Sequence, residues 1–107
     1  TFRKRFGGRL FKRMRKSLIP VLEKHGDLIY VSGHDHNLQY ITDARNNHYV
    51  VSGAGSKKSR LRKKARVQSR FQNNAQTGFF VVEFLKNGKQ RLVLYQADGT
   101  SKVLDTF

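Results

Sequence analysis

The sequence contains no cysteine. This absence excludes disulfides, thiolate zinc sites and cysteine nucleophiles, so any metal would be bound through nitrogen and oxygen. Apolar residues never continue for the roughly 18 positions that a membrane-spanning helix needs, and no signal-like apolar run is visible. The chain begins at Thr1 without an initiator methionine. We therefore expect it to be part of a longer protein that continues on both sides.

Acidic residues are also scarce, since seven Asp and Glu against 22 Lys and Arg give a net charge of +15. A chain this basic favours anionic partners such as phosphate, nucleic acid or lipid headgroups. Nine of the cations lie in residues 3–24 and eight in residues 57–70, whereas residues 27–56 contain only Arg45. The middle of the chain is thus nearly free of cations.

The length of 107 residues suits one small domain. The predicted fold class is α/β, or α+β for this chain taken alone, with one kinked helix followed by about five strands. The expected segments are a basic loop at 1–9, a helix at 10–26, a strand with a turn and a hairpin at 28–56, a basic loop at 57–77 and a C-terminal hairpin at 78–104.

The helix is predicted from apolar residues that recur every three or four positions, at Leu10, Met14, Leu18 and Val21 or Leu22. Pro20 removes the backbone hydrogen bond to residue 16, so we expect a kink there or a new helix that begins near it. Gly26 is expected to end the helix.

The strands are predicted from short apolar runs. "DLIYVS" is continuously apolar and indicates a strand buried on both faces. "LQYIT" and "HYVVS", joined by "DARNN", indicate a hairpin. "FFVVEFL" and "RLVLYQ" flank Asn87-Gly88, which predicts a second hairpin. Tyr40, Tyr49 and the aromatic residues of "FFVVEF" are expected in the core.

A histidine pair follows the first predicted strand. In an extended backbone His34 and His36 project to the same side and Asp35 to the other, so the imidazoles can bind one metal or two neighbouring metals. Gly33 lets the backbone turn sharply. Asn37 is a candidate to orient a histidine ring. In α/β proteins, ligands gather at the carboxyl ends of strands, where this turn falls.

Spacing alone leaves open that the two histidines lie together by chance. Among the other candidates, His25 is expected to interact with the helix dipole and His48 to lie at the surface. Gly53 and Gly55 are expected to let a strand end pack closely beside the histidine turn rather than to bind phosphate.

The sequence around His34 and His36 favours a functional site over a chance pair. "GHDHNLQY", followed by "YVVSGAGS", resembles the C-terminal part of the calcineurin-like metallophosphoesterases, and most closely the purple, or tartrate-resistant, acid phosphatases. The resemblance extends back through "IPVLEKHGDLIYVSGHDH" and loosely forward to "TGFFVVEF". It implies the C-terminal part of a β-sandwich flanked by helices.

The resemblance also implies a two-metal centre that hydrolyses phosphate esters with a metal-activated hydroxide. His34 would bind the more exchangeable divalent ion and His36 the other, with iron paired with zinc, manganese or iron. The family's aspartate, asparagine and further histidine motifs do not occur in this sequence. We therefore expect the chain alone to be inactive and to bind metal weakly or not at all, and we expect the rest of its catalytic domain as a partner. Relatives of this kind are typically exported, which favours a periplasmic or extracellular location.

The competing hypothesis is a basic module that binds nucleic acid or an anionic membrane, in which the histidines are incidental. Its basis is the run at 57–70, which is either a solvated loop or a surface that attracts anionic substrate, lipid or nucleic acid. Exposed apolar faces and sheet edges are also expected, and with them self-association. The cations named for the attracting surface are Lys57, Lys58, Arg60, Arg62, Lys63 and Lys64.

Overall fold

The computed structural model describes residues 8–56, 68–73 and 75–107, with side chains from residue 12 onward apart from that of residue 68. One helix is followed by strands, so the predicted α+β class is confirmed. Two more strands are present than the five or so predicted. The elements are α1 (Gly8–His25), β1 (Ile29–Ser32), β2 (Leu38–Thr42), β3 (His48–Ser52), β4 (Gln68–Asn73), β5 (Gly78–Phe84), β6 (Gln90–Gln96) and β7 (Ser101–Thr106).

The strands form two sheets. The first sheet has the order β1-β3-β2-β4, in which β1 is parallel to β3 and the other neighbours are antiparallel. The second sheet has the order β5-β6-β7 and is antiparallel throughout. Because β3 lies between β1 and β2, the chain must cross the end of β3 to pass from β1 to β2.

The core lies between the two sheets. Alternate residues of β2 point inward, and Leu38 and Tyr40 are at most 1% exposed. Leu92 and Leu94 of β6 are 0% and 2% exposed and belong to the same clusters. Full burial of such a side chain contributes about 1.5–3 kcal/mol. The other core members are Val50, Ala54, Phe71, Phe80, Val82, Leu104 and Phe107.

The turns predicted at Gly26 and Gly88 are confirmed, because both glycines have positive φ. α1 ends at His25, and Gly26 follows with φ +72°. Gly88 has φ +84° in the turn between β5 and β6. Gly99 has φ +86° in an equivalent turn before β7, which the prediction overlooked.

Several expectations are wrong in detail. β4 lies inside the segment predicted as a basic loop, and β7 extends the predicted C-terminal hairpin by a third strand. α1 runs through Pro20 without a break, so no second helix begins there, and a kink stays a prediction. Phe79 and Phe84 are 52% and 76% exposed and are not core residues.

The predicted burial of "DLIYVS" is also wrong. Within the described residues β1 is an edge strand, and Tyr30 and Val31 are 37% and 57% exposed. Part of α1 is equally open, since Met14 and Val21 are 51% and 64% exposed. Among the described residues, no helix is both long and apolar enough to cross a membrane.

Candidate functional site

Residues 33–37 form the histidine loop, which connects β1 to β2 across the carboxyl end of β3. In the first sheet Ser32 pairs with Val51, and Leu38 pairs with Ser52. Both ends of the loop are therefore fixed by the same neighbouring strand.

The loop is tightly folded, so the predicted extended backbone is wrong. The Asp35 N–H donates to the Gly33 carbonyl at 2.9 Å, and the Asn37 N–H donates to the Asp35 carbonyl at 2.7 Å. Each bond closes a three-residue γ-turn. His34, at the centre of the first, has φ +72°, the value of the rare classic γ-turn. Such a conformation costs about 1–3 kcal/mol and persists only where the surroundings impose it.

Gly53 imposes part of this geometry. A Cβ atom at residue 53 would overlap the carbonyl oxygen of Asp35, so the strand end reaches the loop only because residue 53 has no side chain. The Gly53 N–H also donates to the Asn37 carbonyl at 3.1 Å. The packing role predicted for Gly53 is confirmed. A Cβ at Gly55 would meet nothing within 4 Å, so the same role for Gly55 is wrong.

The side chains of the histidine loop differ in their exposure to solvent. His34, Asp35 and His36 are exposed, as is Gly33. Asn37 is only 4% exposed, and its side-chain oxygen accepts a hydrogen bond from Gln39 Nε2 at 2.8 Å. This bond ties the loop to β2. The role predicted for Asn37 in orienting a histidine ring stays a prediction.

Two exposed imidazoles in a sharp turn fit a metal as part of a ligand set, because neutral imidazole nitrogen suits iron, zinc and manganese. The residues that the structure describes contain no group of three or more His, Asp or Glu arranged to hold a metal ion. His34 and His36 can therefore supply two ligands, and further ligands would have to come from elsewhere. The cations predicted to attract substrate lie outside the described residues: Lys57, Lys58, Arg60, Arg62, Lys63 and Lys64.

At the opposite end of the β2–β3 hairpin, Asn47 is fully buried and connects three elements. Its side-chain oxygen accepts from the Leu28 N–H, and its Nδ2 donates to the Leu22 carbonyl and to Asp43 Oδ2, each at 3.0 Å. Asp43 also accepts from Tyr49 at 2.9 Å. Burial opposes ionisation of Asp43, but hydrogen bonds from Asn47, Tyr49 and Arg45 outweigh it and lower the pKa of Asp43.

The expectation for His48 is wrong, because its ring is buried at 4% exposure instead of lying at the surface. Its Nδ1 lies 2.6 Å from the Tyr40 hydroxyl, which donates to Asp105 Oδ2 at 2.6 Å. Burial, followed by the bond to Asp105, raises the pKa of Tyr40. One signal was available in the sequence, since His48 and the buried Val50 share one face of β3.

His25, at the end of α1, is exposed, and its Nδ1 lies 3.0 Å from the Gly26 carbonyl. The expected interaction of His25 with the helix dipole stays a prediction.

Comparison with known proteins finds partial similarity to acid phosphatases. It is 39% identical over 94 residues to "Tartrate-resistant acid phosphatase type 5" of Sus scrofa, a match that covers 80% of this chain and 27% of the relative. The chain is homologous to the purple acid phosphatases. The corresponding protein of Oryctolagus cuniculus is 54% identical over 41 residues, which cover 38% of this chain and 13% of the relative. "Purple acid phosphatase 17" of Arabidopsis thaliana is 40% identical over 47 residues, which cover 43% and 14%.

These matches are partial and fall in the C-terminal portion of the phosphatases, as the sequence predicted. The chain spans about a quarter or less of the length of these curated relatives, from 13% to 27%. No protein-family model matches the chain.

Proposed function

We propose that the chain is the C-terminal part of a binuclear-metal phosphoesterase and supplies His34 and His36 as metal ligands. The observation that carries the proposal is the histidine loop: two exposed imidazoles lie at the centres of two consecutive γ-turns, the first of them strained, beside Gly53 and the end of β3. Homology to acid phosphatases supports the proposed class of reaction, which is hydrolysis of a phosphate ester.

The proposed roles of His34 and His36 are those of metal ligands. A pair of bound metal ions would polarise the phosphate and activate the attacking water. His34 and His36 would each donate a nitrogen lone pair, which requires the neutral imidazole, so metal binding should weaken as these rings are protonated. A backbone that is already folded around residue 34 would lose little further freedom when a metal binds.

The chain alone would not complete such a centre. Two neutral imidazoles bring no negative charge to offset two multivalent cations. The carboxylate ligands would come from the remainder of the same catalytic domain, which makes that remainder the principal partner. Iron paired with zinc, manganese or iron remains the proposed metal content, and export to the periplasm or the outside of the cell remains the proposed location.

The test uses the parent protein that contains this chain. His34→Ala and His36→Ala are each expected to lower hydrolysis of p-nitrophenyl phosphate by at least about a hundredfold, because loss of one ligand removes or displaces an ion. Metal content per protein, measured by mass spectrometry of the elements, should fall in the same variants.

His25→Ala is the matched control. The His25 ring is exposed at the end of α1, and its Nδ1 lies beside the carbonyl of the adjacent residue, Gly26. This variant should retain activity and metal. Full turnover and an unchanged metal content in the His34→Ala, His36→Ala double variant would show that the loop does not bind the ions.

A further inference from the structure

The Asn87-Gly88 step, which predicted the β5–β6 hairpin, lies at an exposed turn. The Leu85 N–H donates to the Lys89 carbonyl at 2.8 Å, and the Gly88 N–H donates to the Leu85 carbonyl at 3.0 Å. Gly88 has φ +84°. This pattern is typical of a type I turn followed by a residue in the left-handed region, a common hairpin connection.

The turn between β6 and β7 has the same hydrogen bonds around Asp98-Gly99. The Gly99 N–H donates to the Gln96 carbonyl and the Gln96 N–H donates to the Thr100 carbonyl, both at 3.0 Å. Gly99 has φ +86°. The second sheet therefore contains two exposed turns of the same kind, one with Asn and one with Asp before its glycine.

The side chain before each glycine also makes the same contact. Asn87 Oδ1 accepts from the Lys89 N–H at 3.0 Å, and Asp98 Oδ1 accepts from the Thr100 N–H at 2.9 Å. The two side chains differ in reactivity, because the carbonyl carbon of a neutral amide can be attacked by a backbone nitrogen and that of an ionised carboxylate resists attack. The Asn87 turn is therefore the reactive one of the pair.

We propose that Asn87 is a site of spontaneous deamidation, at which the chain converts an asparaginyl amide to aspartate and isoaspartate. The Gly88 nitrogen attacks Cγ of Asn87, and the new C–N bond closes a five-membered succinimide. The side-chain nitrogen leaves as ammonia with the proton that the Gly88 nitrogen loses. Water then adds across one of the two ring C–N bonds. Cleavage at Cγ gives aspartate, and cleavage at the main-chain carbonyl carbon gives isoaspartate.

Three features of the turn favour this attack. Gly88 has no Cβ that would hinder approach to its nitrogen. The Lys89 N–H polarises the Asn87 side-chain carbonyl through its hydrogen bond, which makes Cγ more electrophilic. Lys86 and Lys89 lie on either side of the step, and their charges favour the anionic nitrogen and the anionic intermediate.

One contact opposes the attack, since the Gly88 N–H must first leave the Leu85 carbonyl. This hydrogen bond lies at the exposed tip of a hairpin, where backbone bonds open at little cost in free energy. None of the other asparagines precedes a glycine, and two of them are buried. These other asparagines are Asn37, Asn46, Asn47, Asn73 and Asn74.

The two products should affect the sheet differently. Aspartate at position 87 would reproduce the β6–β7 turn, in which the Asp98 carboxylate already accepts the equivalent hydrogen bond. Isoaspartate adds a carbon to the backbone between Leu85 and Lys89, so the hydrogen bond that closes the turn would be lost. Each product also adds a negative charge to the chain.

The test is incubation of the folded parent protein that contains this chain at about pH 8, followed by peptide mapping with mass spectrometry. The amide of Asn87 should be lost at least several-fold faster than that of Asn73, and both aspartate and isoaspartate should appear at position 87. The rate should rise with the hydroxide concentration, because the attacking nitrogen must lose its proton.

Gly88→Ala places a Cβ beside the attacking nitrogen, at a position where it meets nothing within 4 Å. Amide loss at Asn87 should therefore become several-fold slower without a steric clash. Gly99→Ala is the matched control, because a Cβ there also meets nothing within 4 Å and has the same unfavourable φ. It leaves the Asn87-Gly88 step unchanged, so amide loss at Asn87 should proceed at the wild-type rate.

Amide loss in concentrated urea but not in the folded protein would show that the turn protects Asn87, and it would overturn the proposal. Equal rates at Asn87 and Asn73 would do the same. Aspartate as the sole product would indicate direct hydrolysis of the amide without a succinimide, which also contradicts the proposed reaction.

Discussion

At the scale of single residues, Gly53 shows how a neighbouring segment decides which side chain a position can hold. The path of the chain over β3 brings the Asp35 carbonyl to the place where a Cβ of residue 53 would lie. The restriction is steric and comes from backbone, which cannot rotate away as a long side chain could. A methyl group at position 53 must therefore move the histidine loop or the end of β3.

We expect Gly53→Ala to lower the free energy of unfolding by about 2 kcal/mol or more, in the range of strained backbone substitutions. Urea denaturation measures the loss, and the ring signals of His34 and His36 should shift. Gly55→Ala is the control, because a Cβ there meets nothing within 4 Å, and it should stay within about 0.5 kcal/mol of the wild type. Equal stability of the two variants would mean that the histidine loop does not require the absence of a side chain at residue 53.

Residue-level roles were only partly predictable from the sequence. A glycine beside a crossing loop could be expected, and so could two histidines that end a strand. The burial of His48 could be inferred from the face it shares with Val50, but its partners could not, because Asp105 and Phe107 lie more than fifty positions further along the chain. No residue near His48 in the sequence predicts its contacts with Asp105 and Phe107.

At the scale of elements, Asn47 links the last turn of α1 to the start of β1 through hydrogen bonds. Its amide satisfies a carbonyl of the last turn of α1 and the first N–H before β1, while Asp43 holds it in place. Much of the outer surface of α1 is open, with Met14 and Val21 at least half exposed. The helix end therefore depends on these hydrogen bonds more than on apolar contact.

Asn47→Ala should cost about 2–4 kcal/mol, because it removes the hydrogen bonds of three partly buried partners, the Leu28 N–H, the Leu22 carbonyl and Asp43. Loss of the contact to the Leu22 carbonyl should also increase deuterium exchange in the last turn of α1. Asn87→Ala removes an exposed amide that accepts from the Lys89 N–H in a turn, and it should cost about 1 kcal/mol or less. Matching losses in the two variants would contradict the connecting role of Asn47.

Elements with strong signals in their own sequence were predicted well. Elements that form because they pair with a strand distant in sequence were not. Gly26 and Asn87-Gly88 mark the end of α1 and the β5–β6 turn. β4, "QSRFQN", has one large apolar residue, and it is a strand because it pairs with β2 and places Phe71 in the core. β7 was missed although Asp98-Gly99 is a turn signal as clear as Asn87-Gly88.

At the scale of the whole molecule, apolar surface remains open on both α1 and the edge strand β1. Val31 is 57% exposed on a strand that pairs on one side only with β3, within the part of the chain that the structure describes. An unpaired apolar edge favours pairing with a second chain. Self-association therefore stays a prediction, and the exposed edge of β1 is the surface expected to mediate it.

Val31→Lys is expected to shift the chain toward the monomer, because a charge on an edge strand disfavours strand-to-strand pairing. Sedimentation velocity over a range of concentrations measures the shift. Ala97→Lys adds the same charge in the exposed turn before β7 and should leave association unchanged. If both variants dissociate equally, net charge and not the β1 edge controls association.

From the position of β3 between β1 and β2 we expect a particular order of folding. β2 and β3 are neighbours in sequence and should form a hairpin early, whereas β1 pairs with β3 across a longer separation and should join later. The connection at 33–37 closes in that last step. The imidazoles of His34 and His36 would thus reach their final arrangement late, so an early intermediate should be unable to capture metal ions at this position.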